Sequence, residues 1–176
     1  MNEYQLKDEE GRDIFKLFCK QQKWCKHNKD SKNPYAKWDL SYTSGSTQMI
    51  GEIKYRKNYS GSDFSDWILE VDKLKALQVL HQEMLSKGIE SRVTYINHFN
   101  NNYTLIWDVT DIKLENYYVN KKLLQKNDFD DTEVWKEVIY LQRFDSIYKG
   151  ETDEEFSIFK KDNDVTYDSY NDDLPF

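Results

Sequence analysis

Residues 37–57 read Lys37-Trp38-Asp39-Leu40-Ser41-Tyr42-Thr43-Ser44-Gly45-Ser46-Thr47-Gln48-Met49-Ile50-Gly51-Glu52-Ile53-Lys54-Tyr55-Arg56-Lys57. Lys37 to Tyr42 alternates enough to predict a strand, Thr43 to Ser46 is a run of small turn residues, and Thr47 to Lys57 predicts a second strand. The pair is a hairpin. A period of two puts Glu52 and Lys54 side by side on the face opposite Ile53, and the hairpin can bring Asp39 to the same place. Two carboxylates and an ammonium then converge. Carboxylate oxygens suit Mg²⁺ or Mn²⁺, which bind through one or two carboxylates while keeping water and substrate phosphate oxygens. Such a metal can stabilise charge on an attacked phosphate, and the lysine can orient or deprotonate the attacking water. Glu-x-Lys spacing alone equally describes an exposed strand face of alternating charge, so the surrounding elements decide.

Lys7 to His27 predicts an amphipathic helix, with Ile14, Leu17, Phe18 and Trp24 near helical spacing, ending before the turn-prone run 28–34. After the hairpin, Asn58 to Ser62 is a polar loop, and Ser62, Asp63 or Ser65 can cap the next helix. That helix is predicted to run to about Lys87. Its buried stripe is Trp67, Ile68, Val71, Leu74, Leu77, Val79, Leu80 and Met84, and Gly88 is its natural stop. Ile89 to Phe99 and Tyr103 to Val109 predict another hairpin across Asn100 to Asn102, and Val134 to Phe144 predicts a late strand. The expected order is α-β-β-α-β-β plus that strand, an α/β arrangement around one sheet. No internal repeat is present.

With Asp39, the hairpin, Glu52-Ile53-Lys54 and then a long helix carrying Glu70-Val71-Asp72-Lys73-Leu74, residues 7–109 resemble the PD-(D/E)xK, or restriction endonuclease-like, superfamily. The resemblance implies a mixed central sheet flanked by helices. It implies a divalent metal held by Asp39, Glu52 and the backbone carbonyl of Ile53, with Lys54 at the attacking water. Many members carry a lysine or glutamine on the following helix, for which Lys73 is the matching candidate, and its alternative is an intrahelical pair with Glu70. Trp38-Asp39 stands where the family name has proline-aspartate. A glutamate on the first helix is a further ligand in many relatives, and Glu10 or Asp13 could serve here. Arg56, Lys57 and Tyr59, leaving the catalytic strand, could contact a phosphate backbone or simply be a solvated strand end.

A chain of 176 residues, 38% hydrophobic and 32% charged, has the composition of one globular domain. No apolar run approaches the roughly 18 residues needed to span a bilayer, and Met1 to Glu10 is polar, unlike a signal peptide; a soluble cytoplasmic protein is expected, of a bacterial cell or a phage-infected host. Cys19 and Cys25, six apart in the predicted helix, read as packing residues rather than a disulfide framework, and with His27 they lack a zinc spacing. The net charge of −7 is carried entirely by residues 151–176, with nine acids against Lys160 and Lys161. Residues 1–150 are neutral. Within them, Arg12 to Lys37 holds eight cations against Asp13 and Asp30, either a solvated helix face or a surface that tracks phosphates.

The expected organisation is therefore a nuclease-like domain over 1–150 and a disordered acidic tail over 151–176. The tail ends Asp172-Asp173-Leu174-Pro175-Phe176, which resembles the tip of bacterial single-stranded DNA-binding proteins. That resemblance implies docking onto replication or repair proteins, with the phenylalanine in an apolar pocket. The expected function is a Mg²⁺- or Mn²⁺-dependent nuclease acting on DNA and recruited by this tip. The alternatives are a non-catalytic DNA-binding or adaptor protein on the same fold, with some of thirteen tyrosines stacking on bases, or a mimic of the tip. A homodimer would suit an enzyme that cuts both strands, and no membrane partner is expected.

Overall fold

The computed structural model describes residues 3–151 apart from 32, 34, 35, 128 and 129. Residues 152–176, with the docking tip, lie outside the described residues, as do Lys32 and Pro34, while Glu151, expected to open the tail, ends a strand. The chain forms α1 (Glu3–Gln21), β1 (Cys25–Asp30), β2 (Leu40–Ser44), β3 (Thr47–Arg56), β4 (Asp66–Glu70), α2 (Val71–Ser86), β5 (Ser91–Phe99), β6 (Tyr103–Asp108), β7 (Asn120–Asn127), β8 (Asp130–Gln142) and β9 (Tyr148–Glu151). None of the described helices is long and apolar enough to cross a membrane.

The hairpin predicted from residues 37–57 is β2–β3, paired antiparallel from Leu40↔Gly51 to Ser44↔Thr47. Gly45, at φ 61°, makes the reversal, a conformation that costs glycine little. β3 then pairs in parallel with β5 through the β4–α2 crossover, and β5–β6 form the second predicted hairpin, turning at Asn102 with φ 59°. The six-stranded order is β1-β2-β3-β5-β6-β9. The sheet is mixed, and β3 sits near its middle.

Alternation along β3 divides the core into two layers. Met49 and Ile53 join Ile14, Phe15 and Phe18 of α1, with Leu40, Tyr42, Ile96 and Ile106. On the other face, Ile50 joins Leu74, Leu77 and Met84 of α2, with Val93, Tyr95 and Trp107. A helix thus covers each face, as the α/β expectation required.

Several expectations need correction. The first helix stops at Gln21, not His27: Cys25–Asp30 instead gains a ladder with β2, from Cys25↔Ser44 to Asp30↔Leu40. Because the chain folds back there, Cys25 comes beside Cys19, 4.9 Å between Cα atoms, and both side chains are buried in the layer under α1. The segment from Asp66 to Glu70 is strand, not helix, because Trp67 and Leu69 are buried in alternation with half-buried neighbours and pair with β8. Finally, the described residues form two sheets. β4, β8 and β7 form a second, three-stranded one, where a single sheet was predicted. Within α2 the buried stripe is Val71, Leu74, Leu77, Leu80 and Met84, leaving Val79 exposed.

The loop after β3 is locked to β6 at one glycine. A Cβ on Gly61 would lie 2.2 Å from the Tyr103 ring, which also carries the Arg143 guanidinium 5.4 Å from its centroid. Gly61→Ala should therefore destabilise the protein by about 1–3 kcal/mol, read as a lower urea midpoint with an unchanged m-value.

Candidate active site

The hydrogen-bond ladder between β2 and β3 ends at Leu40↔Gly51, and Asp39 continues it by other means. Its amide donates to the Gly51 carbonyl at 2.9 Å, while the Ile53 amide donates to Asp39 Oδ2 at 2.8 Å. The carboxylate thus takes the place of the missing strand. In an antiparallel pair a residue's N–H and C=O point the same way, so the Ile53 carbonyl is directed to the Asp39 side, beyond the ladder. The Ser31 amide, just past β1, donates to the Asp39 carbonyl at 2.7 Å and fixes the corner from outside.

Glu52 lies one residue before Ile53, on the α2 face, and is 0% exposed. Lys54 Nζ stands 3.1 Å from its Oε1 and Lys73 Nζ, from the first turn of α2, 2.8 Å from its Oε2. Lys73 is therefore the partner of Glu52. The intrahelical alternative does not form, since Glu70 Oε2 pairs with Lys136 Nζ of β8 at 3.0 Å. Burial opposes the ionisation of Glu52, but the two ammoniums outweigh it and hold the carboxyl well below its usual range. For Asp39, burial and then the neighbouring Glu52 charge push the carboxyl up to about 8, against the pull of the two lysines.

Two carboxylates, one of them reluctant to ionise, and a carbonyl released from the ladder make an all-oxygen donor set that fits a hard dication. Asp39, Glu52 and the Ile53 carbonyl would hold it. Among the described residues no three His, Cys, Asp or Glu side chains gather closely enough to form a metal cluster by themselves. Glu10 is half-buried on α1, on the opposite side of the sheet, beside Gly11, whose Cβ position lies 3.5 Å from Tyr55 Cβ.

The expected phosphate contacts divide. Arg56 turns inward: its Nε donates to Asn97 Oδ1 at 3.3 Å, its NH2 donates to the Tyr95 hydroxyl at 3.1 Å, and its guanidinium lies 5.7 Å from the Trp67 ring centroid. Lys57 is exposed, and Tyr59 packs edge-on against Phe64. In the basic run, Lys16 is taken by Asp13 and Asp30, while Lys20, Lys23, Lys26 and Lys37 are exposed. Sequence reasoning missed Asn97, fully buried opposite Lys54 in the β3–β5 register with Nδ2 unpartnered among the described residues. A polar residue in a strand gave no signal for it.

No protein-family model and no curated protein matches the chain. Among solved structures it is similar to Archaeoglobus fulgidus Hjc, a Holliday junction resolvase from an archaeal hyperthermophile, with 12% identity over 86% of this chain and 96% of that one, and a TM-score of 0.46. A likeness this slight carries neither fold nor function to the chain.

Because Asp39 holds its proton at neutral pH and a dication needs the ionised form, metal binding must expel that proton. Titration with Mg²⁺ at pH 7 in buffers of different ionisation enthalpy should show close to one proton released, and affinity should rise as pH increases from 6 to 8.

Proposed function

We propose that the chain is a divalent-metal-dependent nuclease that hydrolyses DNA phosphodiester bonds at Asp39, Glu52, Lys54 and Lys73. The observation that carries this reading is the buried Glu52 carboxylate clasped by two lysines from different elements, with Asp39 fixed beside it by the Ile53 amide. A surface of alternating charge has no reason to bury its carboxylate.

Bound by Asp39, Glu52 and the Ile53 carbonyl, Mg²⁺ or Mn²⁺ would supply positive charge to the attacked phosphate. The rest is the work of the chain. Lys54, half-exposed beside Glu52, orients the attacking water and donates to the developing phosphorane oxygens. Lys73 holds the other oxygen of Glu52, so the carboxylate keeps one orientation through the reaction. The water oxygen bonds to phosphorus as one of its protons passes to solvent, the ester P–O bond breaks, and the departing alkoxide takes a proton from solvent. Recruitment to replication or repair machinery through Asp172, Asp173, Leu174, Pro175 and Phe176, in the cytoplasm, belongs to the same proposal. So does a homodimer for cutting both strands.

One observation favours a second reading. Lys54 and Lys73 already neutralise Glu52 without a dication, which is also how a retired site on a non-catalytic DNA-binding protein would be kept folded.

With Mg²⁺ and labelled DNA, Glu52→Gln and Lys54→Met should each lower the cleavage rate on the order of 10²–10³-fold, and chelation should abolish it. Metal-independent cutting, or full activity in both variants, would contradict the assignment.

A further inference from the structure

Residues two apart on a strand share a face, so β3 carries Glu52, Lys54 and Arg56 in one row. Arg56 follows Lys54 by about 7 Å along the strand, at the end where β3 leaves the sheet. The carboxylate of the row is already taken, because Glu52 is held by Lys54 and Lys73. Arg56 has neutral partners instead. Its Nε donates to Asn97 Oδ1, its Nη2 donates to the Tyr95 hydroxyl, and the Trp67 ring lies 5.7 Å from its guanidinium carbon, while no carboxylate among the described residues pairs with it. A half-buried cation whose partners are all uncharged keeps its charge for an anion. Fixing it in one place beforehand also lowers the ordering cost when that anion arrives.

Asn97 does much of the fixing. It is fully buried and stands opposite Lys54 in the β3–β5 register. Its Oδ1 accepts from Arg56, while its Nδ2 has no partner among the described residues. A buried donor left unmet is destabilising, and an apolar side chain of similar size would avoid that cost. The amide weakens the strand it sits in, and what it supplies is the aim of Arg56.

We propose that Asn97 is a positioning residue that aims Arg56 at the phosphodiester next to the one attacked, so that a substrate strand lies along β3 from Lys54 to Arg56. The spacing of these two cations is close to that of successive phosphates in an extended strand. The planar fork of a guanidinium can keep its bonds to Asn97 and Tyr95 while Nη1 faces a phosphate oxygen. The proposal rests on the nuclease reading for its substrate and adds the path that the strand takes.

The test is equilibrium binding of the full chain to a labelled short DNA duplex, in chelator so that nothing is cut, over a series of salt concentrations. Each neutralised phosphate contributes about 0.9 to the slope of log affinity against log salt, so Arg56→Gln should reduce the slope by about that much and weaken low-salt binding on the order of tenfold. Arg56→Lys, which keeps the charge, should keep the slope. Asn97→Asp retains an acceptor but sets a negative charge against the guanidinium. It should reduce the slope as Arg56→Gln does, and reduce it no further when combined with Arg56→Gln. An unchanged slope in Arg56→Gln, or a wild-type chain that does not bind the duplex, overturns the proposal and leaves Arg56 as a brace alone. A slope that falls in Arg56→Gln but not in Asn97→Asp removes Asn97 from the role. Since no cleavage is read, failure here leaves the metal-dependent activity standing, and loss of that activity leaves this result intact.

Discussion

Taking a carboxylate out of water costs several kcal/mol unless cations and hydrogen bonds replace the solvent, and removing one partner of such a buried pair typically costs about 3–5 kcal/mol. Glu52 is in that position, with no exposed surface on a strand near the middle of the six-stranded sheet. Lys54 reaches it because strand residues two apart share a face. Lys73 reaches it because α2 starts where β4 ends, over β3. β3 and the crossover helix must both be in place before this charge is balanced.

The supporting contacts point to the same corner. The Tyr95 hydroxyl accepts from Arg56 and donates to the Ile68 carbonyl at 3.1 Å, joining β3, β5 and β4 by one chain of hydrogen bonds. Arg56, which read as a candidate phosphate ligand, thus also braces the strand that leads into α2. Trp107 adds a bond from its indole nitrogen to the Gln142 carbonyl at 2.8 Å, holding β8 over β6. The second sheet is thereby fixed at one end, and the Lys136–Glu70 bridge ties it again where β4 passes into α2.

What the sequence disclosed follows the same physics. The β2–β3 and β5–β6 hairpins were legible because alternation and turn residues are local signals, and Asp39, Glu52 and Lys54 came with them. The period of two placed Glu52 beside Lys54, and the hairpin register brought Asp39 to them. β1 was hidden because Cys25 to Asp30 carries little apolar alternation and becomes a strand through its ladder with β2. β4 was absorbed into the helix prediction, since Trp67, Leu69 and Val71 suit either period until β8 supplies a partner. The partner of Lys73 was ambiguous for a similar reason: Glu70 is three residues away in sequence, but it lies in a strand and is claimed by Lys136, 66 residues further on. Non-local pairing decides each of these cases, and no short window contains it.

The central claim is that Asp39, Glu52 and the Ile53 carbonyl form a dication seat in a phosphodiester-cleaving site. Anomalous diffraction from crystals soaked in Mn²⁺ tests it most directly. The account predicts one strong peak bounded by these three oxygen donors, lost in crystals of Asp39→Asn. Soaked crystals without a peak there, or with manganese bound only elsewhere, would contradict it.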